Sequence, residues 1–149
     1  MLRKILMGLV IVLIGIQFFR PEKNIHPGPQ PAAISRSDVP DTVQVLLQKA
    51  CYDCHSNNTR YPWYNRIQPV AWWLQHHVNE GKRELNFDEF QQYSNKKKTH
   101  KLKETAETVK EKEMPLNSYL WGHPEARLTE SERALLTDWA LSLKNKIPQ

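Results

Sequence analysis

The sequence predicts an all-α fold. Apolar residues recur at helical spacing in window after window, the windows open and close on residues that cap helices, and strand-like alternation is absent throughout. At 149 residues the chain is long enough for one domain with appendages. Its parts read as residues 1–20, an apolar leader; 21–38, a semi-rigid, extended Pro-rich linker that holds the domain off the membrane; and 39–149, the helical domain.

The first helix starts between Asp38 and Asp41, with Pro40 suited to its first turn; Val43, Leu46, Leu47 and Ala50 form one apolar face. That face runs directly into Cys51-Tyr52-Asp53-Cys54-His55. A turn-rich, then aromatic, stretch follows from Ser56 to Tyr64, and a second helix spans Pro69 to Glu80, with Gly81 as its stop. Asn86-Phe87-Asp88-Glu89 resembles a capping box opening a short third helix through Phe90 and Tyr93. A fourth helix runs roughly from Thr99 to Glu113 on a stripe of Leu102, Ala106 and Val109, and ends at Met114-Pro115. Residues 115–128 have loop character. Thr129-Glu130-Ser131-Glu132 is a capping box for a last helix carrying Leu135, Leu136, Trp139, Ala140 and Leu143.

Residues 51–55 have the C-x-x-C-H pattern of covalent haem attachment. Two cysteines one helical turn apart span neighbouring vinyl groups, and the histidine that follows ligates the iron. A thioredoxin-like motif would need a βαβ context, and a zinc site would need more cysteines than the two present. A plain disulfide is the remaining alternative in an oxidising compartment. The motif thus predicts one haem c per chain, held through Cys51 and Cys54 with His55 on the iron.

The sixth ligand decides what such an iron does. Met114 is the one methionine outside the leader, 59 residues after His55 and stiffened by Pro115. It is expected to ligate the iron together with His55. Among the histidines, His77 sits at an apolar position and is the best competitor; His76, His100, His123 and His26 lie in less suitable settings. Tyr61, Trp63 and Trp73, with Tyr64 and Trp72 nearby, are expected to wall the porphyrin or simply to form an aromatic core.

Ile5 to Phe19 is almost wholly apolar, preceded by Arg3 and Lys4 and followed by Arg20. It reads as a signal peptide or a membrane anchor; without a prompt small-x-small cleavage site, an uncleaved anchor is favoured. The positive N-terminus then lies in the cytoplasm and the domain in the periplasm, or the domain is soluble there if cleaved. Setting aside Arg3, Lys4 and Arg20 leaves 18 basic against 16 acidic residues, near +2, which argues against a nucleic-acid partner. Five lysines fall within Lys96 to Lys103, either a docking patch for an acidic redox partner protein or a solvated face.

From about Val43 to Leu143 the chain resembles the small haem-binding-domain family of bacterial c-type cytochrome-like proteins. The matching stretches are Cys51 to Asn57, Tyr61-Pro62-Trp63-Tyr64, Pro69 to Leu74, Leu85-Asn86-Phe87, Met114-Pro115 and the final helix. More distantly, an attachment helix, a Met-Pro loop and a C-terminal helix look like the class I cytochrome c plan. The resemblance implies haem binding and says little about partners. A saturated His/Met iron predicts a single-electron carrier that is not an enzyme. A labile sixth position would instead predict a gas sensor or a peroxidase-like protein, with His76, His77 or Arg60 as distal groups.

Overall fold

The computed structural model describes residues 1–148. They form α1 (Leu2–Ile16), α2 (Asp41–Ala50), α3 (Tyr52–His55), α4 (Val70–Glu84), α5 (Asn95–Lys110), α6 (Asn117–Gly122) and α7 (Glu130–Lys146). Short 3-10 turns at Arg36–Asp38, Trp63–Arg66, Phe87–Gln92 and Pro124–Ala126 join them. Among the described residues there is no strand, only an isolated bridge between Ile25 and Asn58. The fold is all-α, as the periodicity implies.

α5 and α7 form the central pair. Leu102, Ala106 and Val109 of α5 meet Leu136, Ala140 and Leu143 of α7, and α2 adds Val43, Leu46, Leu47 and Ala50 to the same core. The alanines let the two backbones approach while the leucines interdigitate. Leu47, Leu102 and Leu136 are at most 1% exposed. Each stabilises the fold by about 2 kcal/mol through the apolar area it removes from water. The α7 capping box forms as expected: Thr129 Oγ1 accepts from the Glu132 N–H, and Glu132 Oε2 accepts from the Thr129 N–H at 2.8 Å. Trp139 ties α7 to the chain before α2, its indole N–H donating to the Asp38 carbonyl at 2.8 Å.

Four segments differ from the sequence reading. α4 does not stop at Gly81 but continues to Glu84. α5 starts at Asn95, because the Ser94 side chain accepts from the Lys97 N–H and so caps the helix before the lysine run. Residues 117–122, read as loop, form α6; its six residues, set between Pro115 and Pro124, are too few to show periodicity. Segment 21–38 lies on the domain instead of standing away from it. Buried Asn24 donates to the Ser56 carbonyl and Thr59 Oγ1, both at 2.9 Å, and accepts from Lys82 Nζ at 2.7 Å. Ile34 is buried, and its N–H donates to the Phe87 carbonyl at 2.8 Å.

α1 is packed against nothing along its length and has no buried residue. No helix among the described residues is long and apolar enough to cross a membrane. At the α-helical rise, the 15 residues of α1 extend roughly 22 Å, short of the roughly 30 Å of a hydrocarbon core. A spanning segment over residues 5–19 therefore has no support from the helix lengths.

Candidate functional site

The end of α2 delivers the paired cysteines. Cys51 N–H donates to the Leu47 carbonyl at 2.9 Å, and His55 N–H donates to the Cys51 carbonyl at 3.0 Å. The motif is therefore one helical turn hinged on Cys51, and both cysteines are free thiols. Burial and the neighbouring Cys54 push the Cys51 thiol up to about 12. Burial and Asp53 push Cys54 up to about 11. Both shifts favour the protonated thiol over the thiolate.

α4 clasps this turn from outside. A Cβ at Gly81 would sit 2.7 Å from the Cys54 carbonyl oxygen and 2.9 Å from its Cβ, so glycine is what lets the two backbones touch. The Leu85 N–H then closes on the Gly81 carbonyl at 2.9 Å, turning the chain so that the Leu85 carbonyl meets His55 Nδ1 at 2.9 Å. A carbonyl can only accept, so Nδ1 carries the proton and Nε2 keeps a lone pair for a metal. Burial pushes the His55 pKa down, against the opposing pull of the Leu85 and Gly81 backbone bonds, and favours this neutral ring. Phe87 meets the ring edge-on, with centroids 6.5 Å apart.

Asp53, between the cysteines, is 6% exposed and held from three sides. Its Oδ1 accepts from the Arg60 N–H at 3.2 Å and from Arg60 Nε at 3.1 Å. Its Oδ2 accepts from the Tyr119 hydroxyl at 2.7 Å, and its backbone carbonyl accepts from Thr59 Oγ1 at 2.7 Å. The bond to Asp53 raises the Arg60 pKa, while burial, reinforced by Asp53, drives the Tyr119 phenol upward. Tyr119 stacks on His123 with centroids 4.1 Å apart. Beside Cys54 these groups border a cavity of about 50 Å³, whose other walls include Tyr64, Trp73, Leu74 and His77.

Of the expected aromatic walls, Trp73 lines this cavity and packs edge-on against His77, centroids 4.6 Å apart. Tyr61 does other work: its hydroxyl accepts from the Asn24 N–H and donates to Gln75 Oε1, each at 2.7 Å. Trp63 is 76% exposed and outside the cavity lining. Met114 is half-buried against the hydrophobic core and also outside that lining. Its loop is anchored, with the Met114 N–H donating to the Thr108 carbonyl and its own carbonyl accepting from Arg133 Nη1 at 2.8 Å.

His76 and His100 are exposed beside Glu80 and Glu104, and His26 lies 3.1 Å from the Asn57 carbonyl. The lysine run is largely engaged. Lys101 bridges Glu84 and Glu104, Lys103 faces Glu107, and Lys97 and Lys98 lie over the Tyr93 and Phe90 rings. Sequence reasoning missed Asp53, Gly81, Leu85 and Tyr119. Only Asp53, inside the motif, offered a local signal.

The donor set fits a haem. Two unpaired thiols one turn apart precede a neutral imidazole with Nε2 free, beside an apolar cavity walled by aromatic rings. Among the described residues no group of three or more His, Cys, Asp or Glu is gathered as a metal site. A haem asks less of the protein, because the porphyrin supplies the equatorial nitrogens. The cavity volume is well below that of a porphyrin, so seating one requires the walls to part.

Fold and site together define a small helical domain built to hold a haem. The model of the haem-binding domain family matches residues 11–142, and the chain belongs to that family. No curated protein and no solved structure matches it.

Proposed function

We propose that this domain holds one haem c covalently through Cys51 and Cys54, with His55 as an axial ligand, and passes single electrons without catalysing a reaction. The observation that carries this reading is the His55 Nδ1 to Leu85 carbonyl contact at 2.9 Å, immediately after two free thiols. It fixes the tautomer and the ring plane before any metal arrives, which favours iron binding at Nε2. The bound group supplies a reversible one-electron couple. The chain's own residues orient the imidazole, keep the thiols together and exclude water with Trp73, Tyr64 and Leu74.

Met114 is the proposed sixth ligand, and its Pro-stiffened loop, anchored on Arg133, supports that role. His77 is the second reading, favoured by its place in the cavity lining beside Cys54, where Met114 does not appear. A labile sixth position, the sensor or peroxidase reading, would draw on His77 and Arg60, both in the cavity lining, whereas His76 is exposed at the surface. The N-terminal segment 5–19 is proposed to hold the domain at the outer side of the cytoplasmic membrane, where covalent haem attachment takes place. A soluble acidic redox partner would approach the Lys96–Lys103 run.

The test is an optical spectrum of protein made with cytochrome maturation machinery, oxidised and reduced, with and without carbon monoxide. Expected are haem that stays with the chain after denaturation, a weak far-red band lost in Met114→Ala, and no reaction with carbon monoxide. Loss of haem on denaturation overturns covalent attachment. A band insensitive to Met114→Ala but altered by His77→Ala moves the ligand to His77, and ready carbon monoxide binding overturns the carrier.

A further inference from the structure

The apolar segment ending at Phe18-Phe19 and the aromatic segment leading into α4 meet, and neither contains an acid. No Asp or Glu occurs from Met1 to Pro21 or from Arg60 to Asn79. The two segments meet at a latch centred on Gln68, which is 3% exposed. Gln17 Nε2 donates to the Gln68 carbonyl at 3.2 Å, and Gln17 Oε1 accepts from the Gln68 N–H at 3.0 Å. Gln68 Nε2 and the Trp72 indole N–H both donate to the Phe19 carbonyl, at 3.0 and 2.8 Å. Backbone turns continue α1 through Phe19, so no spacer separates the apolar helix from the domain.

Around the latch large apolar side chains face outward: Phe18 at 83%, Trp63 at 76%, Ile67 at 46% and Trp72 at 39% exposed, beside exposed Arg20 and Arg66. Aromatic rings turned outward, with cations among them and no acid in either segment, suit a surface that meets lipid headgroups, which are apolar on one side and anionic on the other. α1 exposes apolar side chains all round and is too short to cross a bilayer, and a short apolar helix draws whatever flanks it down to the interface. With the latch closed, what flanks it is this face.

We infer that the face carrying Trp63, Ile67, Val70 and Trp72 rests in the headgroup layer of a lipid bilayer, with α1 immersed beside it. This rests on the membrane reading of residues 5–19 and adds an orientation to it: the domain lies on the membrane instead of swinging on a tether. Trp73, the next residue of α4, lines the cavity.

The experiment uses the full chain with haem attached and vesicles of phosphatidylcholine and phosphatidylglycerol. Flotation reads the anchor; hydroxyl-radical footprinting by mass spectrometry reads the face. The chain floats, and labelling of Trp63 and Trp72 falls several-fold with vesicles, while Tyr93 and Leu141 are unchanged. The triple variant Trp63→Ser/Ile67→Ser/Val70→Ser still floats through α1 but binds several-fold more weakly. A chain that floats with Trp63 and Trp72 labelled as in free solution overturns the docked face and leaves the anchor standing. Failure to float overturns both. Shielding of the same residues without lipid, with the mass of a dimer, gives the face to a second copy and overturns the inference.

Discussion

Gly81→Ala tests whether the contact between α4 and the cysteine turn governs the site. In an ordinary helix interior this change stabilises by up to about 1 kcal/mol, because alanine is the better helix former. Here the added methyl would lie 2.7 Å from the Cys54 carbonyl oxygen and 3.1 Å from its carbonyl carbon, both backbone atoms that cannot rotate away. Ordinary contact begins at 3.4 Å, so α4 must retreat by about 0.7 Å. Overpacking of this size costs about 1–3 kcal/mol against the propensity gain of about 1 kcal/mol, for a net loss of up to about 2 kcal/mol. The same retreat carries the Leu85 carbonyl away from His55. Urea unfolding of the haem-loaded protein, read by absorbance and far-UV circular dichroism, gives the stability. The yield of covalently loaded chain under standard maturation gives the functional cost. A variant as stable as the parent, loaded to the same yield, would refute the reasoning.

Arg133→Met removes the donor that holds both the Val109 and Met114 carbonyls at 2.8 Å; the expected cost is about 2–3 kcal/mol in urea unfolding, and if Met114 is the sixth ligand the variant gains a reaction with carbon monoxide that the parent lacks. Tyr119→Phe strips a 2.7 Å donor from the buried Asp53 carboxylate and lowers stability by about 1.5–3 kcal/mol, whereas an unchanged unfolding midpoint would show that Arg60 suffices alone. Thr129→Ala breaks the α7 capping box and costs about 1 kcal/mol by the same measurement. In the haem-free chain both thiols titrate above their ordinary 9.0, so the folded state holds their protons longer than the unfolded state. Stability is then full below about pH 9 and falls as pH rises toward 11 to 12, and alkylation at pH 8 is slow until urea opens the fold. Fast alkylation of both cysteines in the folded chain would contradict this.

The helices that sequence made legible are those whose apolar residues repeat over two turns or more, α2, α4, α5 and α7, and the haem motif announces itself by local spacing. What stayed hidden depends on residues distant in the chain. Gly81 reads as a helix stop because glycine is a common one, and only the position of Cys54 reveals that it serves close approach. Asp53 is clamped by Tyr119, 66 residues away, and His55 by a backbone carbonyl that any residue at 85 would provide. The prolines of 21–38 correctly exclude a regular helix over most of that stretch, but composition cannot show that Asn24 finds its partners beyond the motif. Trp63 illustrates the converse. An aromatic in a haem-protein loop suggests a wall, yet this one faces outward.

The seat of Asn24 also sets an order of events. Asn24 leaves the ribosome before Cys51, but its partners Ser56, Thr59 and Lys82 come 32, 35 and 58 residues after it. The strand of chain made first is therefore among the last to settle. Until Lys82 and Gly81 have emerged, neither residues 21–38 nor α4 can close over the cysteine turn. Once they have closed, both thiols are half-buried. The N-terminal segment thus reports on the finished fold, because the anchor of Asn24 exists only when the cysteine turn, the loop after it and α4 are all in place.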